Sequence, residues 1–145
     1  MQRLVDVLIS TEPDVMLIHA AEDPFNPDHP VASAAAQRAR LLAMGAGGVP
    51  AAFPTIKPPA LYAFEPHQPD QSNFKPDTFV DVSAVWDIKS TAMSAMGAQT
   101  YLHEHYTQRA RQRAFQARYA GAGMPASSEY AEAFQRMVPE LKGAL

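Results

Sequence analysis

Two adjacent stretches decide how this chain folds: the apolar run VMLIH at residues 15–19 and the polar stretch DPFNPDHP at residues 23–30. The first is rich in branched residues and fits a strand buried on both faces, as in a parallel sheet covered by helices. The second places two acids, an amide and an imidazole among three prolines. A strand end followed by a stiff polar loop is where α/β enzymes carry their chemistry. We therefore predict an α/β fold with a functional site in this loop.

The segments on either side follow a helix–strand order that extends this prediction. Spacing and composition predict helices at Gln2–Thr11, Val31–Met44 and Ala84–Tyr119, strands at Ala60–Glu65 and Phe79–Val82, and a last short helix or turn at Glu129–Val138. Residues 45–60 are expected to form a surface loop within a single domain spanning residues 1–145. Two or three strands are few for a doubly wound sheet, which usually has about five or six. The order is therefore typical of the carboxyl-terminal part of a larger α/β domain.

Composition argues against several classes of protein. No apolar run approaches the ~18 residues of a membrane span, and the amino end shows no secretory signal pattern. The absence of cysteine excludes disulfides, thiolate metal sites and cysteine nucleophiles, and it fits a reducing cytoplasm. A net charge of −3 argues against nucleic-acid binding. We expect a cytoplasmic protein without membrane or nucleic-acid partners.

The strongest candidate for chemistry is His29. A neutral imidazole binds zinc, and the adjacent Asp28 could hold that ring or line the site. An Asp-His pair before a helix is also a common N-terminal cap, so spacing alone leaves both interpretations open. His19 ends the first strand, where it could take part in catalysis, support the site, or simply be a partly buried histidine bonded to the backbone.

Further polar residues lie in the same loop and in a second loop after the next strand. Asp23 could act as an acid or base if it is buried, although loop acids are mostly solvated. Asn26 could donate a hydrogen bond to an oxyanion, or close a turn in the proline-rich loop. His67 and Gln68 follow the strand at Ala60–Glu65 and could bind a substrate carboxylate, or be exposed loop residues. Two strands that deliver polar loops at one edge would form a cleft between them.

Three separated motifs, taken together, resemble a known family. They are DPFNPDHP at 23–30, LYAFEPHQP at 61–69 and YAEAFQR at 130–136. The first resembles the second metal-binding motif of the PIG-L/LmbE zinc hydrolase family, usually His-Pro-Asp-His, with His29 at the position of a zinc ligand. Asn26 replaces a histidine that assists amide hydrolysis in the deacetylases of that family. All three motifs together are similar to a hydratase branch that acts in the breakdown of aromatic compounds such as gallate and protocatechuate.

The resemblance implies a Rossmann-like, three-layer fold that is incomplete at the amino end and has a long carboxyl-terminal helix. It implies a zinc-dependent hydratase acting on a small, carboxylate-rich, unsaturated oxo acid. His29 would bind Zn²⁺, which would polarise a substrate carboxylate or carbonyl. The remaining assignments are Asp28, His19 and His67 as catalytic residues, and Asp23, Asn26 and Gln68 as substrate-binding residues.

The amino end departs from the family pattern. Members begin with a strand and an Ala-His-x-x-Asp-type loop that supplies further zinc ligands, and nothing like it precedes Gln2. The chain therefore resembles roughly the last three-fifths of such an enzyme, with an incomplete zinc site and an unpaired sheet edge that favours a homo-oligomer. Two alternatives remain: a zinc-dependent N-deacetylase of the same family, or an inactive piece with a structural or interaction role.

Overall fold

The computed structural model describes residues 1–47 and 53–140. They divide into two compact units: unit 1 comprises residues 1–75 together with the chain from 135 onward, and unit 2 comprises residues 76–134. The strands of the described residues form a sheet in the order Val15–Ile18, Ala60–Phe64, Ala131–Arg136 and Thr78–Asp81. The mixed α/β character predicted from the sequence is confirmed. Part of the predicted surface loop, residues 48–52, lies outside the described residues. No helix among the described residues is long and apolar enough to cross a membrane.

Unit 1 contains two helices and a pair of parallel strands. Its elements in chain order are α1 (Gln2–Thr11), β1 (Val15–Ile18), α2 (Asp28–Ala43) and β2 (Ala60–Phe64), followed by a short 3-10 turn (Pro69–Gln71). β1 and β2 run parallel, in register from Val15 opposite Ala60 to Ile18 opposite Ala63. Because the strands are parallel, both carboxyl ends lie at the same edge of the sheet.

The core of unit 1 combines alanines with larger aliphatic and aromatic side chains in two clusters. One cluster joins α1 to α2 through Val5, Leu8, Ala39, Ala43 and Ile56. A second cluster lies beside the strand ends and comprises Ala20, Ala63 and Phe74. Ala63 is fully buried and Ala20 is nearly so, and the segments that follow β1 and β2 therefore begin in a packed region. That packing fixes where the loops after β1 and β2 begin.

The prediction that the first strand is buried on both faces is wrong. Val15 and Leu17, which share one face of β1, are 51% and 56% exposed. On the opposite face Ile18 is buried and Met16 packs against the α1–α2 cluster. β1 is also the last strand in the sheet order of the described residues. One face and one edge of this apolar strand are therefore uncovered in the described part of the chain.

Unit 2 contains an antiparallel strand pair and two helices. Its elements are β3 (Thr78–Asp81), α3 (Trp86–Ser94), α4 (Tyr101–Tyr119) and β4 (Ala131–Arg136), and the end of β4 belongs to unit 1. β3 pairs with β4 from Thr78 opposite Phe134 to Asp81 opposite Ala131. A core cluster of Val82, Trp86 and Ala110 packs with Met93 and Tyr130. The ring of Trp86 stacks on that of Tyr130 with centroids 3.9 Å apart.

The single long helix predicted over Ala84–Tyr119 is in fact two helices. α3 ends at Ser94, a short 3-10 turn covers Gly97–Gln99, and α4 begins at Tyr101. Glycine is a poor helix former, and Gly97 lies where the helical hydrogen bonds are interrupted. Two apolar residues of this segment, Ile88 and Met96, are largely exposed and do not contribute to a core face. The longest helix, α4, is also not the last element, since β4 follows it.

The last short helix or turn predicted over Glu129–Val138 is also wrong, because this segment forms β4. Ala131 and Ala133 are buried while Glu132 between them is half-exposed, which is the alternation of a strand. Backbone pairing to β3 holds the segment extended, with Asp77 donating to the carbonyl of Phe134 and Val82 donating to that of Tyr130. Tertiary pairing has overridden the helical preference of its alanine, glutamate and glutamine side chains.

Candidate functional site

The ends of the two parallel strands bring aromatic and imidazole rings together. His19 directly follows β1, and Phe64 is the last residue of β2. The ring of His19 stacks on the ring of His29, with centroids 3.9 Å apart and an interplanar angle of 24°. Phe64 contacts the ring of His19 edge-on, with centroids 4.6 Å apart. Two of the three histidines predicted as site residues are therefore in direct contact at the carboxyl end of the parallel pair.

Asp23 lies beside this pair as a buried carboxylate, with its side chain 1% exposed. Its Oδ2 atom is 2.9 Å from Nδ1 of His29. Its Oδ1 atom accepts hydrogen bonds from the backbone N–H groups of Phe25, at 3.1 Å, and Asn26, at 3.2 Å. The side-chain amide of Asn26 also donates to the carboxylate, 3.1 Å from Oδ2 and 3.3 Å from Oδ1. The proline-rich loop is thus folded around one acid.

This environment keeps Asp23 ionised. Burial alone would raise the pKa of a carboxyl group, but the hydrogen bonds from His29, Asn26 and the two backbone N–H groups outweigh it. The net result is a pKa of Asp23 below its ordinary value. A buried acid that stays charged at neutral pH can orient a neighbouring imidazole but has no proton to give.

The surroundings of His19 lower its pKa as well, and in a base a lowered pKa favours the neutral form. Burial lowers the pKa of His19, and the adjacent His29 ring lowers it further, against the opposing effects of Asp28 and Asp23. His19 is therefore neutral at neutral pH. A neutral imidazole at the edge of a strand pair can accept a proton, which is the property required of a general base.

The structure brings four of the seven predicted site residues together, namely His19, Asp23, Asn26 and His29. Asp28 is exposed at the start of α2, close enough to His19 to influence its pKa. His67 is half-buried and Gln68 is exposed, and both lie on the loop that follows β2. Their predicted roles in proton transfer and substrate binding remain predictions.

Two local expectations for this loop need correction. Asp28 and His29 are not loop residues, because α2 already begins at Asp28. The acid bonded to the ring of His29 is Asp23 and not the adjacent Asp28. A carboxylate six residues away reaches the imidazole because Asp23 begins a turn that Phe25 and Asn26 close with their backbone N–H groups. The Asp-Pro-x-Asn pattern of that turn was the available signal, since aspartate commonly accepts such bonds two or three residues on.

The fit of this cluster to a metal ion is partial. Within residues 1–47 and 53–140, no group of three or more His, Asp or Glu side chains is arranged to hold a metal. His29 does have the arrangement usual for a metal-binding imidazole, because one ring nitrogen is bonded to a carboxylate and the other remains for the ion. The described residues therefore fit one ligand of a metal site.

Asp23 is expected to make the folded chain sensitive to acid. Because its pKa is lower in the folded chain than in the unfolded one, the unfolded chain takes up a proton first as the pH falls. The stabilisation is fully present above about pH 4 and is lost as the pH falls through the lowered pKa. Urea unfolding should therefore show a steeper loss of free energy in the wild type than in Asp23→Asn as the pH falls below about 4. Asp28→Asn, at an exposed acid, should keep the wild-type slope; an equally steep loss in Asp23→Asn would contradict this assignment.

These features define an α/β protein with an imidazole–carboxylate cluster at the carboxyl end of a parallel strand pair. No family model matches the chain. A conserved protein of Thermus thermophilus, at 24% identity, shares the fold with a TM-score of 0.72 over 97% of this chain and 58% of its own. That likeness concerns the fold alone.

Two more similar proteins come from Pseudomonas putida KT2440, and both are hydratases by name. The crystal structure of GalB, the 4-carboxy-2-hydroxymuconate hydratase, matches with a TM-score of 0.87 and 41% identity over 99% of this chain and 60% of that chain. A curated 4-oxalmesaconate hydratase is 43% identical over 140 residues, which are 96% of this chain and 54% of the relative. At this identity the chains are homologous, and the present chain spans about half the length of that relative.

Proposed function

We propose that this chain is part of a hydratase, a hydro-lyase that adds water to an unsaturated oxo-carboxylic acid such as 4-oxalmesaconate in the degradation of aromatic compounds. The observation that carries the proposal is the 43% identity to a 4-oxalmesaconate hydratase over nearly the whole chain. The stacked histidines and buried carboxylate supply a site of suitable chemistry in the same region. The reaction requires a base to activate water and groups that stabilise the enolate charge that develops.

The residues of the cluster divide into two kinds. His19, neutral and at the strand end, is suited to accept a proton from the attacking water. The side chains of Asp28, His67 and Gln68 remain candidates for proton transfer and for binding the substrate carboxylates. Asp23 and Asn26 were assigned to substrate binding, but their side chains are bonded to each other. Their surroundings favour a role in holding the loop.

We further propose that the enzyme uses Zn²⁺ and that His29 contributes one ligand through Nε2. The support is the bond from Nδ1 to Asp23, which leaves Nε2 as the free nitrogen of the ring. The remaining ligands would come from outside this cluster. When bound, zinc supplies Lewis-acid polarisation of a carbonyl or carboxylate oxygen. Membership of the PIG-L/LmbE family and its Rossmann-like three-layer fold are part of the same proposal and rest on the three motifs described above.

A spectrophotometric assay tests both parts of this proposal. The conjugated double bond of 4-oxalmesaconate absorbs light, and hydration removes the conjugation. Because the described residues supply one metal ligand, we expect the loss of absorbance from the complete enzyme of which this chain is part, and we expect a chelator to stop it and added zinc to restore it. A loss that is insensitive to chelator would reject zinc but retain the hydratase. If the substrate is unchanged under all conditions, hydration by this chain is rejected and the role of an interaction piece is favoured.

The N-deacetylase alternative is weakened by the position of Asn26. Its amide donates to the carboxylate of Asp23, and it is therefore engaged within the loop. A side chain that assists amide hydrolysis must instead reach the tetrahedral intermediate. Restoring histidine with Asn26→His should help a deacetylase, whereas in a hydratase it would remove the amide from the Asp23 network and lower the activity.

We propose that this chain forms a homo-oligomer, and the uncovered side of β1 supports this proposal. Val15 and Leu17 are exposed on a strand that ends the sheet order, and such an edge is prone to pair with another chain. We expect the wild type to elute as oligomers in size-exclusion chromatography with light scattering. Leu17→Lys places a charge on this face and should shift the chain towards monomer.

The matched control for this experiment is Ile88→Lys. Ile88 is an exposed apolar residue on α3, 73% exposed and away from β1 in the sequence. It should leave the oligomer distribution unchanged. A sharp monomer peak for the wild type would reject the proposed association, and equal effects of both lysines would show that β1 is not the contact.

A further inference from the structure

The loop from Asp23 to His29 is organised around one carboxylate and not around its backbone alone. Asp23 accepts hydrogen bonds from two backbone N–H groups, one side-chain amide and one imidazole. Its side chain is almost completely buried, whereas the ring it contacts is about one-third exposed, at 31%. Asp23 is therefore the buried partner of this contact, whereas part of the His29 side chain is accessible to solvent.

The chemistry of a carboxylate determines which nitrogen of His29 carries the proton. An ionised carboxylate can only accept hydrogen bonds, so a contact of 2.9 Å from Oδ2 to Nδ1 requires a proton on Nδ1. In a neutral ring, Nε2 then has the free lone pair. The carboxylate thus fixes the tautomer as well as the position of the ring.

Other contacts restrict the orientation of the ring and of its backbone. His19 stacks on one face of the His29 ring, with centroids 3.9 Å apart, and so covers that face. The backbone N–H of His29 donates to the carbonyl of Asn26 at 3.0 Å. Asn26 in turn donates its amide to Asp23. His29 is therefore held at its backbone and at Nδ1 by the loop, and at one face of its ring by His19.

We propose that Asp23 is the positioning residue of this site: it holds His29 as the Nδ1–H tautomer and so presents the Nε2 lone pair outward to a divalent metal ion. The presentation to a metal rests on the proposed function, whereas the tautomer does not. Residues that hold a metal-binding histidine commonly contribute about 10–100-fold to metal affinity, and we expect a contribution of this size from Asp23. Asn26 has the supporting part of holding the carboxylate against His29.

A purely structural role for Asp23 makes a different prediction. If Asp23 only closes the turn through Phe25 and Asn26, its replacement would reduce stability without changing the protonation pattern of His29. Asp23→Asn separates the two roles. The asparagine oxygen can still accept the backbone N–H groups, but its NH₂ group then faces Nδ1 of His29 and requires an acceptor there. The proposed role therefore predicts that the tautomer inverts.

Long-range ¹H–¹⁵N NMR of the histidine rings measures the tautomer directly, without metal or substrate. The spectra are recorded above about pH 8, where an ordinary imidazole is neutral, and His29 is assigned from the signals lost in His29→Gln. We expect the Nδ1–H pattern in the wild type, its loss or inversion in Asp23→Asn, and no change in Asp28→Asn. The last variant removes the same charge one residue from His29.

Two results would overturn the proposal. The first is a wild-type His29 in the Nε2–H form, which decides the matter even if Asp23→Asn does not fold. The second is a folded Asp23→Asn protein that retains the wild-type pattern. Neither result bears on hydration, which the absorbance assay measures separately, so the positioning role and the proposed function can fail independently.

Discussion

Replacing His29 with alanine is expected to lower the rate of hydration of 4-oxalmesaconate by about 100-fold or more. The substitution removes the only imidazole in the described chain that is both held by a buried carboxylate and stacked on a second histidine. Losing a Lewis acid at a developing charge is worth several kcal/mol, and each 1.36 kcal/mol corresponds to about tenfold in rate. The measurement is the initial loss of substrate absorbance in the preparation that shows chelator-sensitive activity.

The matched control is His105→Ala, which removes a half-exposed imidazole from α4 in unit 2. It should retain the wild-type rate, since it shares the residue type and not the site. Zinc content should fall together with activity in His29→Ala and stay unchanged in the control. An unchanged rate in His29→Ala would reject His29 as a zinc ligand and with it the proposed site.

The site illustrates which parts of a functional arrangement are visible in a sequence. The apolar run ending at His19 and the polar loop ending at His29 were sufficient to predict where chemistry would be found. The carboxylate that contacts His29 was not predicted correctly, because the shortest sequence separation pointed to Asp28. What brings Asp23 to the ring is a turn closed by backbone N–H groups, and such three-dimensional proximity is only indirectly encoded in spacing.

The fold shows the same limit at a larger scale. β1, β2 and α2 were predictable because the strands are short apolar runs, the helix has a helix-forming composition, and each ends at glycine, proline or a polar residue. β4 was not predicted, because Tyr130, Ala133, Phe134 and Met137 recur at the three- and four-residue spacing of a helical face. The choice is made by pairing with β3, which lies about fifty residues earlier in the chain, opposite Ala131 at Asp81. No local pattern reports such a partner.

The exposure of Val15 and Leu17 is a case where composition was right and environment was wrong. Their branched and apolar character correctly predicted a strand of the kind found in parallel sheets. Their burial depends on what covers the second face of β1, and the described residues leave it exposed. A hydrophobic pattern predicts what a surface needs as a neighbour, and it does not show that the neighbour is in the same chain.

The second large effect is expected in the core of unit 2. Trp86→Ala should lower the free energy of unfolding by about 3–5 kcal/mol, the usual cost of deleting a buried aromatic side chain. Trp86 is 8% exposed, packs with Val82 and Ala110, and lies flat on Tyr130 with an interplanar angle of 3°. Truncation leaves a cavity between α3 and the segment that leads into β4, where the ring of Tyr130 loses the surface on which it stacks.

Urea unfolding followed by far-UV circular dichroism measures this loss, because the variant lacks the only tryptophan of the chain. Trp86→Phe is the matched control. It should lose less than half as much free energy of unfolding as Trp86→Ala, because it keeps an aromatic face against Tyr130. Tyr130→Phe tests whether the hydroxyl contributes separately, through its 3.1 Å hydrogen bond from Arg111. That bond is exposed, so its loss should be small beside that of the indole. If Trp86→Ala costs less than about 1 kcal/mol, the stack does not hold unit 2 together, and the hydrogen bonds of the β3–β4 pair would have to do so.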